Sequence, residues 1–125
     1  MEYRIVIEEH AGHKMLHTYI KGMLSSEDRD RVGAEAIQTL KNNGLTRSIW
    51  DLREAEILYS LATIHMAVAK VEDTGLHDAM RVAIIYRQNK AEFEHAKTAA
   101  LNRGIHNLNY FDDFDEGIKW LAEGE

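Results

Sequence analysis

The sequence predicts an α/β fold: a single mixed, mostly parallel five-stranded sheet with four helices, in the order β-β-α-β-α-β-α-β-α. Three observations carry this expectation. Short β-branched runs alternate with segments of helical periodicity, which demands right-handed crossovers and a largely parallel sheet. The first two apolar runs are separated by a tight turn alone, so those strands pair antiparallel and make the sheet mixed. The 125 residues, 45% apolar and 29% charged, are enough for one core and too few for two, so residues 1–125 are expected to form a single domain.

The elements follow in order. Tyr3-Arg4-Ile5-Val6-Ile7-Glu8 is the first strand, His10-Ala11-Gly12-His13 the turn, and Lys14 to Lys21 the second strand. In that second strand Met15, His17 and Tyr19 share one face and Leu16, Thr18 and Ile20 the other. Ser25 opens the first helix, with Asp28 three residues on, as a capping box wants. Val32, Ala36 and Leu40, with Ile37 beside them, form its inner face, and Asn42-Asn43-Gly44 ends it. Arg47 to Leu52 is the third strand, with Asp51 at its end, and Arg53, Glu54 and Glu56 are expected in the loop that follows it. Ser60 can cap a helix running to about Asp73, with Leu61, Ile64, Val68 and Val71 on its core face. Arg81-Val82-Ala83-Ile84-Ile85-Tyr86 reads as a buried strand. Gln88 to Arg103 is a helix that packs through Phe93, Ala96 and Ala100 and ends at Gly104. Asn107 to Phe111 is a short strand. The acids from Asp112 to Glu116 then suit the positive end of a last helix, which docks through Phe114, Ile118 and Leu121.

Composition excludes several functions. The chain has no cysteine, so disulfides, thiolate nucleophiles and cysteine-ligated zinc are ruled out. The net charge is −6, which speaks against a nucleic acid as main partner. No apolar run approaches the roughly 20 residues of a membrane span. Met1-Glu2-Tyr3-Arg4 has no basic stretch leading into an apolar run, so no signal peptide is expected there, and a cytoplasmic location is expected. No GxGxxG or GxxxxGK[ST] stretch is present, so dinucleotide and P-loop binding lack support.

The titratable residues nominate no reaction. Asp51 ends a strand, as a phosphoacceptor aspartate would, but no lysine follows the last strand before the helix caps. His10, His13 and His17 invite a metal hypothesis. His13 and His17, however, lie roughly 13 Å apart along an extended strand, too far for one ion without help from His10 or a distant residue. The expectation is therefore no metal, no cofactor and no catalytic residue. Arg81, Arg87, Lys90 and Arg103 read as a small basic rim whose role is local pairing with the abundant acids.

The helix expected over residues 60–73 is the most informative segment. Besides its core stripe, Leu58, Tyr59, Ala62, Met66 and Ala69 lie largely off that stripe. Helices apolar most of the way round tend to be covered on both sides. The cover is expected to be a second subunit, a partner protein or a small apolar ligand, the last lined by Trp50, Tyr59, Met66 and Tyr86.

The order of elements, with three stretches in sequence, resembles the STAS / SpoIIAA-like superfamily, the fold of anti-sigma-factor antagonists. The stretches are Ile49-Trp50-Asp51-Leu52-Arg53, then Arg81 to Tyr86 with a helix ending Asn102-Arg103-Gly104, then Phe111 to Leu121 with its acidic cap and Trp-Leu helix. The resemblance covers nearly the whole chain and is strongest to a little-characterised bacterial branch. It implies a non-enzymatic regulatory or protein-interaction module. It also places Ser60 where regulatory members carry a phosphorylated serine, although the usual preceding acid and following glycine are missing from Tyr59-Ser60-Leu61-Ala62. The expected docking surface is that helix (Leu58, Tyr59, Ala62, Met66, Ala69), with loop contacts from Asp51, Arg53 and Glu54; the alternative is a carrier or sensor of a lipid-like ligand. A self-complementary apolar patch usually makes a two-fold dimer. Light scattering at high concentration is expected to give twice the 14.3 kDa of one chain, and a strict 14.3 kDa species would count against the dimer.

Overall fold

The computed structural model of the chain describes residues 1–59 and 80–123. Strands β1 (Glu2–His10), β2 (His13–Leu24), β3 (Arg47–Ile57), β4 (Arg81–Tyr86) and β5 (Leu108–Phe111) form one sheet in that order. β1 is antiparallel to β2, and the three remaining pairs are parallel. Helices α1 (Ser26–Asn42), α2 (Lys90–Asn102) and α3 (Phe114–Glu123) are the helices among the described residues. The helix expected over 60–73 lies outside them, and so do Ser60, Ala62, Met66 and Ala69.

The opening hairpin turns on Ala11 and Gly12, both at positive φ (52° and 81°), so that His10 stands opposite His13. Two consecutive positive-φ residues give the turn whose twist matches that of the flanking strands. This register puts Arg4, Val6, Glu8 and His10 on the same face as Met15, His17 and Tyr19. β2 lies between β1 and β3, which is why Met15, Leu16, His17 and Thr18 are all buried.

The two faces of the sheet bury different cores. Leu16, Ile20, Leu24, Trp50, Leu52, Ala55 and Ile57 meet Val32, Ala36 and Leu40 of α1 and Phe93, Ala96 and Ala100 of α2. On the other face Met15, Ile49, Ala83 and Ile85 meet Leu121 of α3, with Phe114, Ile118 and Trp120 packed around them. The expected caps of α1 are in place. Ser25 Oγ accepts from the Asp28 amide at 3.1 Å. Gly44 takes φ 62° just past α1, and the Leu45 amide returns to the Leu40 carbonyl at 3.0 Å, closing the helix in a Schellman turn.

Two features depart from expectation. β3 does not stop at Leu52 but runs to Ile57, so Arg53, Glu54 and Glu56 are strand residues and not loop residues. The pairing runs Tyr19 with Asp51, then Lys21 with Glu54, so β3 carries one extra residue there. This bulge resets the strand's phase. Leu52 and, beyond the bulge, Ala55 and Ile57 then all enter the α1–α2 core, with Glu54 and Glu56 exposed. The arginines expected to form a basic rim are also dispersed. Arg81 stands at the start of β4 and Arg87 just past its end. Arg81 and its neighbour Arg47 donate to the Trp120 and Leu121 carbonyls, both at 2.9 Å, and so satisfy the C-terminal end of α3.

α3 approaches the sheet closely at Gly117. A Cβ there would run into Ile85 Cδ1 and would lie 3.5 Å from Phe111 Cδ2. Gly117→Ala is therefore expected to cost about 1 kcal/mol, the overpacking outweighing alanine's better helix propensity. Ile85→Val alone is expected to cost about 1 kcal/mol. Because the valine lacks the clashing methyl, the double variant should fall short of the sum by about 1 kcal/mol in urea unfolding. Strict additivity would show that α3 does not sit this close.

Candidate functional site

The α3 face of the hairpin carries a cluster of titratable side chains around His17. The ring is 1% exposed and has a carboxylate against each nitrogen: Glu8 Oε1 at 2.9 Å from Nδ1 and Asp51 Oδ2 at 2.8 Å from Nε2. His10 Nε2 meets the same Glu8 Oε1 at 3.0 Å. The Tyr19 hydroxyl donates to the other Glu8 oxygen at 2.7 Å. Tyr19 also stacks on one side of His17, centroids 3.7 Å apart and planes within 6°. Phe114, at the start of α3, closes the other side at 5.7 Å and touches His10 edge-on at 5.6 Å. Arg4 lies over the Tyr19 ring and Arg53 over Phe114, each at 4.4 Å.

Asp51 anchors the cluster from β3. Besides His17 it accepts from the Arg53 amide (3.1 Å), Nε (3.0 Å) and a terminal guanidinium nitrogen (2.8 Å). Burial pushes the Asp51 carboxyl up, but the hydrogen bonds from His17 and Arg53 outweigh it and hold the group well below the usual carboxylate range. For Glu8 too, burial is outweighed by the bonds from Tyr19, His10 and His17, and the carboxyl is lowered. Burial and the Glu8 bond push the Tyr19 hydroxyl up to about 12. With a carboxylate oxygen against each nitrogen, the His17 ring is hydrogen-bonded on both sides.

The oxygens of Asp51 are thus committed to His17 and Arg53, an arrangement unlike an open phosphoacceptor. Among the described residues, Glu8, His10 and His17 are the group that could hold a metal ion. Their donor atoms lie within 4.8 Å of one another. His13, paired with His17 in the sequence argument, is not in the group; Glu8, which that argument did not weigh beside the histidines, is. The signal was available in the hairpin register, since the two-residue turn sets Glu8 opposite Met15 and His10 opposite His13, on the face that His17 shares. Tyr19 and Phe114 were not read as site residues because their roles depend on contacts across elements, Tyr19 with Glu8 of β1 and Phe114 with the rings of His10 and His17.

Beside the cluster, a groove of about 540 Å³ opens over β1, β2 and the carboxyl ends of β3 and β4. Arg4, Lys21, Arg53 and Arg87 line it together with Glu2, Asp51 and Glu54 and with Tyr3, Tyr19 and Ile20, so its walls mix charges of both signs with apolar surface. Carboxyl ends of parallel strands are where open α/β sheets bind ligands.

The remaining expected site residues separate. Leu58 is 56% exposed, one rung beyond Met23, which is equally exposed. Tyr59 does not add to that surface. It packs on the α1–α2 core under the Arg29 guanidinium, 4.8 Å from its ring, and burial pushes its hydroxyl up. Trp50 and Tyr86, expected to line an apolar pocket, are core residues.

A mixed sheet with α1 and α2 on one face and α3 on the other defines a STAS/SpoIIAA-like fold, and solved structures agree. The chain is similar to an uncharacterised protein from the DUF3478 family with a SpoIIAA-like fold from Shewanella loihica PV-4 (TM-score 0.57, 20% identity, covering 95% of this chain and 93% of that one). It is also similar to an anti-sigma factor antagonist from Mycobacterium paratuberculosis (TM-score 0.61, 14% identity, 98% and 96% covered). No protein-family model matches the chain, and no curated protein does. No helix among the described residues is long and apolar enough to cross a membrane.

Breaking a buried charge network leaves charges unpaired. Asp51→Asn is expected to destabilise the protein by about 3–5 kcal/mol at neutral pH. Because the folded carboxyl is depressed, its stabilisation is complete above the unfolded value near 4 and is lost as pH falls through the folded value. The gap between the two proteins in urea unfolding should therefore narrow toward about pH 2. A gap independent of pH would mean that the Asp51 charge is not what stabilises the fold.

Proposed function

We propose that the chain is a non-enzymatic regulatory module of STAS/SpoIIAA type that docks on a partner protein. Docking runs through the carboxyl ends of β2 and β3 and the segment that follows β3. The observation that carries this reading is the exposed apolar pair Met23 and Leu58, which stands where Leu58 leads into the apolar stretch containing Ala62, Met66 and Ala69. The fold likeness to an anti-sigma factor antagonist supports a partner of protein class. A second copy of the chain is the first partner to test, as a self-complementary patch makes a two-fold dimer. The lipid-like ligand gains no support from Trp50 and Tyr86, which are in the core and do not line a pocket for it. In this reading Ser60 is where a phosphate, at the start of the expected helix, would alter the surface.

The test is a photo-crosslinking residue at position 58, with position 101 as control because Leu101 is 65% exposed on α2. Position 58 should give one discrete adduct in cells, at twice the chain mass if the partner is a second copy. Met23→Asp should weaken it about tenfold, the effect of losing about 1.4 kcal/mol of contact. Equal labelling at 58 and 101, or none at 58, would remove the docking reading. A Ser60→Asp chain that still gives the full adduct would remove the switch.

A further inference from the structure

Independently of the docking reading, we propose that Glu8, His10 and His17 form a binding site for a divalent transition metal ion of zinc type. Two imidazole nitrogens converge on one carboxylate oxygen. His10 Nε2 and His17 Nδ1 lie 3.0 and 2.9 Å from Glu8 Oε1, and all the donor atoms fall within 4.8 Å. Ligand bonds of about 2.0–2.1 Å around a tetrahedral ion place neighbouring donors roughly 3.3 Å apart. The two pairs at Glu8 need to open by a few tenths of an ångström, and the two imidazole nitrogens, within 4.8 Å of each other, need to come to the same separation, to turn the hydrogen-bonded trio into a ligand set. Two histidines and one carboxylate are a donor set that zinc takes with its fourth position open to water.

The surroundings are those a metal site requires and a plain ion pair does not. A ligating histidine gives its other ring N–H to a carboxylate, which fixes the tautomer and strengthens the donor. His17 does this through Nε2 to Asp51 at 2.8 Å, and Arg53 in turn holds Asp51. Ligating carboxylates are themselves held by hydrogen bonds. Glu8 is fixed through Oε2 by Tyr19 at 2.7 Å, leaving Oε1 facing the two rings. Tyr19 and Phe114 wall the His17 ring on both sides, while the Glu8 and His10 side chains, 30% and 24% exposed, keep a way in from solvent. The positions come from a tight hairpin in a five-stranded sheet, a rigid support. On binding, the proton between His17 Nδ1 and Glu8 leaves to solvent and the ion takes its place.

The experiment is equilibrium dialysis of the metal-free full chain against zinc chloride, with ¹⁵N-histidine NMR on the same samples. One zinc ion per chain is expected. The His17 Nδ1 resonance should move to the metal-bound range while Nε2 keeps its proton. His10→Ala, at a partly exposed position, should lower affinity about 100-fold, and Tyr19→Phe about tenfold, as loss of a group holding a ligand does. His106→Ala, at an exposed position past α2, should leave binding unchanged. Folding of each variant is read from the same spectra. No bound zinc, binding undiminished in His10→Ala, or an unmoved His17 Nδ1 would overturn the site.

Discussion

One carboxylate ties the two halves of the sheet together. Asp51 takes a hydrogen bond from a buried imidazole on β2 and three from Arg53 on its own strand, one of them from the backbone amide. That amide belongs to the bulge, where β3 carries an extra residue against Ile20. The side-chain period of a strand is two, so one extra residue turns every later side chain over. Without it Ala55 and Ile57 would leave the α1–α2 core and Glu54 and Glu56 would enter it. The charge network at His17 and the packing at the far end of β3 are thus two consequences of one local arrangement.

This arrangement is costly in energy. Replacing a buried ion pair by well-packed apolar side chains is often neutral or stabilising by 1–4 kcal/mol. The neighbouring core on the same face, Met15, Ile49, Ala83, Ile85 and Leu121, shows that the fold can fill this layer with apolar groups. The hairpin end of the layer instead holds two histidines and two carboxylates, with Tyr19 and Arg53 bound to them. Such a group is easier to understand as a site with a task than as a device for stability. Its fully satisfied hydrogen bonds explain how the fold tolerates it.

Much of the fold was legible because local signals and tertiary demands coincide there. The Ser25 cap, the Gly44 exit and the Val32–Ala36–Leu40 stripe each follow from one-dimensional spacing, and all three are where that spacing puts them. The end of β3 was missed for the opposite reason. Glu54-Ala55-Glu56-Ile57 alternates with period two, as a strand should, but it is out of phase with Trp50 and Leu52 across the bulge, and charges next to Asp51 look like a loop. The His17 cluster was missed because distance was reckoned along one strand. His13 and His17 are far apart in that direction, whereas the hairpin register brings Glu8 and His10 close to His17 from the neighbouring strand.

The proposed metal site and the proposed docking surface lie at different places on β2. Met23 is six residues beyond His17, roughly 20 Å along an extended strand. At that separation substitutions at the two places are expected to add independently unless a shared element joins them. The element available is Asp51 with its bulge. It touches His17 on one side, and on the other it sets the phase that buries Ile57 and leaves Leu58 to solvent. An influence of the ion on the partner surface therefore has a definite physical route, through the position of one carboxylate and the backbone amide it holds.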